Sequence, residues 1–431
     1  MNRPQRSLDS DSMMNPAKLK NFSQRFSDHL FGHLLPFWCG PAVDHEQGGW
    51  MGWLSNDLKP DRTQPKGLIV NSRILWAFSA VHRFPFCRFH ETECKKAAQP
   101  DKLFRQMADR AFDYVMNRFW DTQRGGAFWQ LDDTGRVVLD DSKKTYGQAF
   151  YIYALAEYHR AFGVLPALAR AQELFELIER HAHDNQFGGY LEVCQRDWSE
   201  AGAEARLSDK DMNEKKSMNN HLHVLEAYTN LYRVWKEPRV AQRLCELIQL
   251  FEQRILDART RHLNHFFDEE WRVRSDSYTF GHDIESTWLL CEAVEVLGDA
   301  RLRKQVEQVV LPMAEVVLQE GIDADGALRY EGRGGKIIDA GKECWPQAES
   351  VIGFLNAYQL SRDEKFFAAA FRTWDFIDSH LVDRVNGEWF WRITPEGKVD
   401  VALPKVSEWK GPYHASRMCL EALRRLSAIT S

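Results

Sequence analysis

One turn signal recurs along the chain and constrains its fold more than any single motif. An acidic residue is followed, a few positions on, by glycine and then an aromatic: Asp44 to Gly48-Gly49-Trp50, Asp121 to Gly125-Gly126-Ala127-Phe128-Trp129, Asp184 to Gly188-Gly189-Tyr190, and Asp383 to Gly387-Glu388-Trp389, with Asp323 to Gly326 as a shortened copy. Asp257, ahead of Leu263 and Phe266-Phe267, fills the remaining gap without the glycine. Six units result, at intervals of roughly 60 to 77 residues, each long enough for two helices and a loop or short hairpin.

The intervals carry two helical patterns apiece. Before each turn the apolar residues step by three and four, as in Met107, Ala111, Val115 and Phe119, or Val240, Leu244, Leu247, Phe251 and Ile255, which is the spacing of an amphipathic helix. After each turn comes a segment apolar on most sides: 69–81, 146–158, 221–235, 282–297, 345–360 and 413–426. A helix of that kind is buried all round. Twelve helices alternating half-buried and fully buried predict an all-α (α/α)6 barrel, an outer ring around an inner one, with short hairpins in its loops. The polar linker 195–216 is the main irregularity, and loops of that length are often functional.

The misplaced polar residues then acquire meaning. Arg73, Tyr146, His223, His282 with Glu285, Trp345 with Gln347 and Glu349, and His414 all fall in the first turns of inner-ring segments. Parallel inner helices would bring these six pieces of chain to one mouth. His282 and Glu285, three residues apart, share a helical face, and Gly281 before them suits a helix entered from a turn. His221 and His223 differ by roughly 200° around a helix, so only one of them can face the centre.

Composition removes several alternatives. Net charge is −6, with 56 Lys+Arg mixed among 62 Asp+Glu, and no basic stripe exists to track phosphates; a nucleic-acid partner is not expected. No apolar run approaches a membrane span and no signal peptide is legible, which gives the expectation of a soluble cytoplasmic protein, one catalytic domain over 17–431 behind a disordered extension, 1–16. The eight cysteines are scattered without zinc-type spacing; neither metal nor other cofactor is expected.

Chemistry follows from the residue types. Glycoside hydrolysis wants two carboxyl groups flanking the bond, whereas here histidines outnumber convergent acids. Proton abstraction beside a carbonyl needs a base with a pKa near neutrality, a second group to return the proton and a cation to hold the developing enediolate oxygen. Histidines and an arginine supply these, which points to sugar isomerisation or epimerisation.

Six stretches carry a resemblance. Asn71-Ser72-Arg73-Ile74-Leu75-Trp76, Tyr146 with Gln148, Ser217-Met218-Asn219-Asn220-His221-Leu222-His223, Phe280-Gly281-His282-Asp283-Ile284-Glu285, Trp345-Pro346-Gln347-Ala348-Glu349 and Trp409-Lys410-Gly411-Pro412-Tyr413-His414 are similar to motifs of the cellobiose 2-epimerases within the N-acylglucosamine 2-epimerase superfamily. The resemblance implies a metal-free (α/α)6 barrel, expected as a monomer, that epimerises C2 of the reducing-end glucose in a small-molecule β-1,4-linked disaccharide such as cellobiose, lactose or mannobiose. It implies that His282 and His414 exchange the C2 proton, that His223 assists ring opening, that Arg73 holds the enediolate oxygen and that Glu285 orients or tunes His282. It further implies that Tyr146, Asp211 and Asn219 line the sugar site, that Trp345 and Trp409 stack on the rings and that Glu349 binds hydroxyls. Members usually have two tryptophans before the proline at 346; this chain has Cys344 and Trp345. A mannose isomerase or mannose 2-epimerase acting on the monosaccharide is the alternative, followed by a glycan hydrolase on the same barrel and a non-catalytic sugar-binding barrel.

Overall fold

A computed structural model describes residues 16–84, 100–202 and 204–430. The expected extension 1–16 lies outside these residues except for Pro16, which already opens the first helix. Six inner helices, α2 (Leu68–Arg83), α4 (Thr145–Phe162), α6 (Met218–Val234), α8 (Phe280–Leu297), α10 (Cys344–Ser361) and α12 (Tyr413–Thr430), each pack on the next, and α12 packs back on α2. The outer helices are α1 (Pro16–His29), α3 (Pro100–Tyr114), α5 (Leu165–His181), α7 (Pro238–Leu250), α9 (Ala300–Val316) and α11 (Glu364–Phe376). They close around the inner ring as an (α/α)6 toroid.

Residue type decides which ring a helix joins. In α2 every residue from Leu68 to Val81 is buried, while α7 buries only Val240, Leu244, Leu247 and Ile248. Five outer elements, all but α5, end in a widened π-helical turn, for example Phe251–Ile255 after α7. The chain then enters the repeated turn, where the aspartate caps the backbone: Asp184 Oδ1 accepts from the amides of Gln186 and Phe187 at 2.8 and 3.0 Å. Paired glycines follow in the left-handed region, such as Gly188 (φ 75°) and Gly189 (φ 78°), where a Cβ is costly. In the fourth unit Arg261 takes that conformation without being glycine (φ 66°), and Asp257 still caps its turn through the amides of Arg259 and Thr260.

A second device, invisible in the turn signal itself, locks the turns. Lys66, Lys143, Lys216 and Lys342 each stand two residues before an inner helix and reach the aspartate of the preceding turn, at 2.8, 3.2, 2.6 and 3.0 Å; Lys405 does the same to Asp383 at 2.7 Å. The fourth unit has Tyr278 in that register, stacked on His262 with centroids 3.5 Å apart.

Short antiparallel ladders tie neighbouring units at this end. Lys66–Gly67 pairs with Gln130–Leu131, Lys143–Lys144 with Val193–Cys194, Lys216–Ser217 with Phe266–Phe267, Ser277–Thr279 with Glu331–Arg333, and Lys342–Glu343 with Arg392–Ile393. A bridge between Leu54 and Val406 closes the circle. The lead-in to each inner helix is thereby fixed against the next unit, and so are the side chains of its first turn. Among the described residues no helix is long and apolar enough to cross a membrane.

Candidate active site

Residues from the first turns of all six inner helices line one cavity of about 540 Å³: Arg73, Tyr146, Asn219 with His223, His282 with Glu285, Trp345, and His414. That volume lies within the range of small-molecule pockets. The linker 195–216 contributes Leu207 to Asp211 to the wall, and Trp53, Trp391 and Trp409 line it as well.

Each imidazole spends Nδ1 on the protein. His223 Nδ1 lies 2.8 Å from Glu226 Oε2, His414 Nδ1 2.6 Å from Glu349 Oε1, and His282 Nδ1 2.6 Å from Thr279 Oγ1. An imidazole held by one nitrogen presents the other in a fixed direction. Burial drives all three toward the neutral form: His282 and His414 are held well below the ordinary histidine value, His282 further by His265, His223 and His414, and His414 by Arg73 and Arg417. His223 is lowered by burial against the opposing pull of Glu226. His221 is no part of this set. Its Nε2 accepts the Tyr190 amide at 2.8 Å and its Nδ1 meets the Ser217 carbonyl, so it clamps a turn, as the helical angle to His223 requires.

Below the imidazoles lies a charge cluster that sequence reasoning did not find. Arg417 of α12 donates to Glu285 Oε1 at 2.6 Å and Glu349 Oε1 at 2.8 Å, and also to Glu226 and the Tyr413 hydroxyl. All four charged side chains are at most 2% exposed. One guanidinium cannot neutralise three carboxylates. Burial and the neighbouring carboxylates push Glu285 well above the ordinary carboxylate range, and burial pushes Glu349 up, while Arg417 and His223 overcome burial to hold Glu226 at about 2. Glu285, Glu349 and His414 offer ligand atoms within 4.8 Å of one another, but Arg417 already occupies both carboxylates.

Two expected roles change. Glu349, read as a binder of sugar hydroxyls, is fully buried, and its oxygens are taken by His414, Arg417 and Trp288 Nε1 (3.0 Å); it sits behind His414 and does not line the cavity. Glu285, read as the partner of His282, faces Arg417, and Thr279 holds that imidazole. A shared signal was available: His223/Glu226, His282/Glu285 and His414/Arg417 all place a charged residue one helical turn after the histidine.

Arg73, Tyr146, Asp211, Asn219, Trp345 and Trp409 all line the cavity. Arg73 is 6% exposed, donates to the Trp409 carbonyl at 2.9 Å and the Tyr146 hydroxyl at 3.1 Å, and makes no ion pair among the described residues. Burial pushes the Tyr146 phenol up despite Arg73 beside it. Trp345 lies against both His282 and His414, with centroids 4.7 and 5.6 Å away. Gly281 is inside α8, not ahead of it; a Cβ there would meet the Trp345 ring at 2.6 Å, so glycine makes room for the indole. Asp211 accepts from Ser208 Oγ at 2.5 Å, and Asn219 Oδ1 has no hydrogen-bond partner among the described residues. Cys344 lines the cavity beside Trp345, its thiol pushed up by burial to about 12.

A toroid with neutral imidazoles and an unpaired arginine converging at its mouth defines an acid–base sugar isomerase or epimerase. The chain belongs to the N-acylglucosamine 2-epimerase (GlcNAc 2-epimerase) family, whose pattern matches residues 49–417. It is 41% identical over 401 residues to a cellobiose 2-epimerase of Bacteroides fragilis, covering 93% of this chain and 98% of that one. The solved cellobiose 2-epimerase of Spirochaeta thermophila superposes with a TM-score of 0.87 at 37% identity, covering 98% of this chain and all of the other. A D-mannose isomerase of Marinomonas mediterranea is 22% identical over 94% of this chain and 98% of its own length.

Proposed function

We propose that this enzyme epimerises C2 of the reducing-end glucose of β-1,4-linked disaccharides, converting cellobiose to glucosyl-mannose and accepting lactose and mannobiose. It would do so without metal, as a monomeric cytoplasmic catalyst whose single unit runs over 17–431. The observation that carries the reading is the grouping of three Nδ1-anchored imidazoles with Arg73 around one cavity; the greater likeness to cellobiose 2-epimerases than to D-mannose isomerases favours the disaccharide.

In this mechanism His223 assists opening of the hexose ring. One of His282 and His414, neutral at the start, removes the C2 proton; the C–H electron pair becomes the double bond of a cis-enediolate. Arg73 stabilises the oxyanion: it is buried and carries no carboxylate partner, so its charge is undiminished where water is excluded. The other imidazole, neutral in the free protein, takes up a proton from solvent before turnover and delivers it to the opposite face of C2, and the first imidazole returns its proton to solvent afterwards. Trp345 and Trp409 hold the sugar faces, and Tyr146, Asp211 and Asn219 its hydroxyls. Glu349 and Glu285 act from beneath.

Incubation of the chelator-treated protein with cellobiose in D2O, and with mannose in parallel, tests the proposal by NMR. Glucosyl-mannose deuterated at C2, with mannose unchanged, is the expected outcome. Fructose or glucose formed from mannose, with cellobiose untouched, would overturn the substrate assignment in favour of monosaccharide chemistry.

A further inference from the structure

Two of the three cavity imidazoles rest on carboxylates, and His282 does not. Its Nδ1 meets the hydroxyl of Thr279, the residue that caps α8. A threonine at a helix N-cap ordinarily turns its hydroxyl to an amide of the first turn; here that bond is not made. The oxygen faces two imidazoles, His282 Nδ1 at 2.6 Å and His265 Nε2 at 3.3 Å.

The backbone fixes the direction of this chain of bonds. Thr279 donates its own amide to the same His265 Nε2 at 3.1 Å, so that nitrogen carries a lone pair. Burial and the nearby His262 keep His265 neutral, its value brought down to about 4. The amide and the hydroxyl hydrogen share that single lone pair, and a hydroxyl hydrogen turned toward His265 leaves the hydroxyl lone pairs facing His282, the arrangement in which His282 donates from Nδ1–H.

Building on the acid–base role given to His282 above, we infer that Thr279, with its hydroxyl aimed by His265, is the positioning residue of His282: it selects the Nδ1–H form and turns the Nε2 lone pair toward C2. Because the partner is a neutral hydroxyl, the ring is oriented without a second negative charge. His223 and His414 are oriented by carboxylates that Arg417 must balance. Neither Thr279 nor His265 is among the residues lining the cavity; both act through His282.

Three full-length variants and one spectrum test this. Thr279→Val keeps the backbone amide and the shape while removing the hydroxyl, and should lower kcat for C2 exchange in D2O by about tenfold, the worth of one hydrogen bond, with KM unchanged. Thr279→Ser should recover most of that loss. Nitrogen NMR of the labelled imidazole should report the Nδ1–H form of His282 in the unsubstituted protein and a mixture in Thr279→Val. Unchanged kcat in Thr279→Val, or an Nε2–H form of His282 in the unsubstituted protein, would overturn the assignment; the second reading stands even if the valine variant does not fold. His282→Gln separates the two levels. If it retains normal exchange, the acid–base reading itself falls; if it is inactive while Thr279→Val is normal, only the positioning role falls.

Discussion

Two kinds of buried charge meet at the mouth of this toroid, and they are built on opposite rules. In every turn but that of Asp257 the aspartate has at least one cation of its own, a lysine joined by an arginine at Asp44, Asp121 and Asp323, and at Asp184 carbonyls complete the set: Lys216 Nζ takes Asp184 at 2.6 Å together with the carbonyls of Gly188 and Glu269. In the central cluster one guanidinium serves three carboxylates, and three imidazoles stand neutral. The turn pairs are complete and hold position; the central cluster is short of positive charge, and burial with neighbouring carboxylates displaces Glu285 and Glu349 upward while Arg417 and His223 hold Glu226 low. Frame and site differ in how fully each charge is answered.

Removing the one cation of the cluster should have the largest effect. Arg417→Met leaves Glu226, Glu285 and Glu349 facing one another without a counter-ion, and loss of one partner of a buried pair alone costs about 3–5 kcal/mol; urea unfolding should show at least that loss, with no measurable C2 exchange. Acid should come next, acting through imidazoles that belong to the frame. His29 and His221 are held at about 3 and His265 at about 4 by burial, with His33 adding to it at His29 and His262 at His265. Their folded values lie below the unfolded one, so the unfolded chain binds more protons: the contribution is complete above about pH 6.5 and falls as pH drops toward 4. Three such groups give a slope of about 4 kcal/mol per pH unit near pH 5, to be read from urea midpoints at successive pH values.

Lys216→Met tests the turn pairs in isolation. It should cost about 3 kcal/mol while the folded fraction keeps its KM for cellobiose; a selective loss of kcat would show that frame and site are not separable there. The smallest effect should be a gain. Arg261 occupies a left-handed conformation where the other units use glycine, and Arg261→Gly should stabilise the fold by about 1 kcal/mol, seen as a rise in Tm without change in activity.

The same contrast explains what was legible in the sequence. The frame repeats, so its twelve helices and six turns show in spacing alone, and Asp257 is recognisable even without its glycine because the interval demands a turn. Arg73, His223, His282 and His414 were legible because a polar residue in the first turn of an all-buried helix stands out. The supporting shell was not. Arg417 meets Glu226, Glu285 and Glu349 across 191, 132 and 68 residues, contacts that exist only once the ring has closed. Glu349 was misassigned because its place in the first turns of α10 does not say that it points behind His414 and not into the cavity. Thr279 hid as an ordinary helix cap.

The position of Arg417 also ties closure of the ring to catalysis. It lies in α12, the helix that follows all five of its inner-ring fellows and packs against both α10 and α2. Until that helix docks, the three glutamates of α6, α8 and α10 have no cation to share and His414 is missing from the pair that exchanges the proton. A ring without that helix would leave three carboxylates at its centre with no cation and would lack one of the two proton-exchanging histidines, so closure of the ring and competence for catalysis rest on the same side chains.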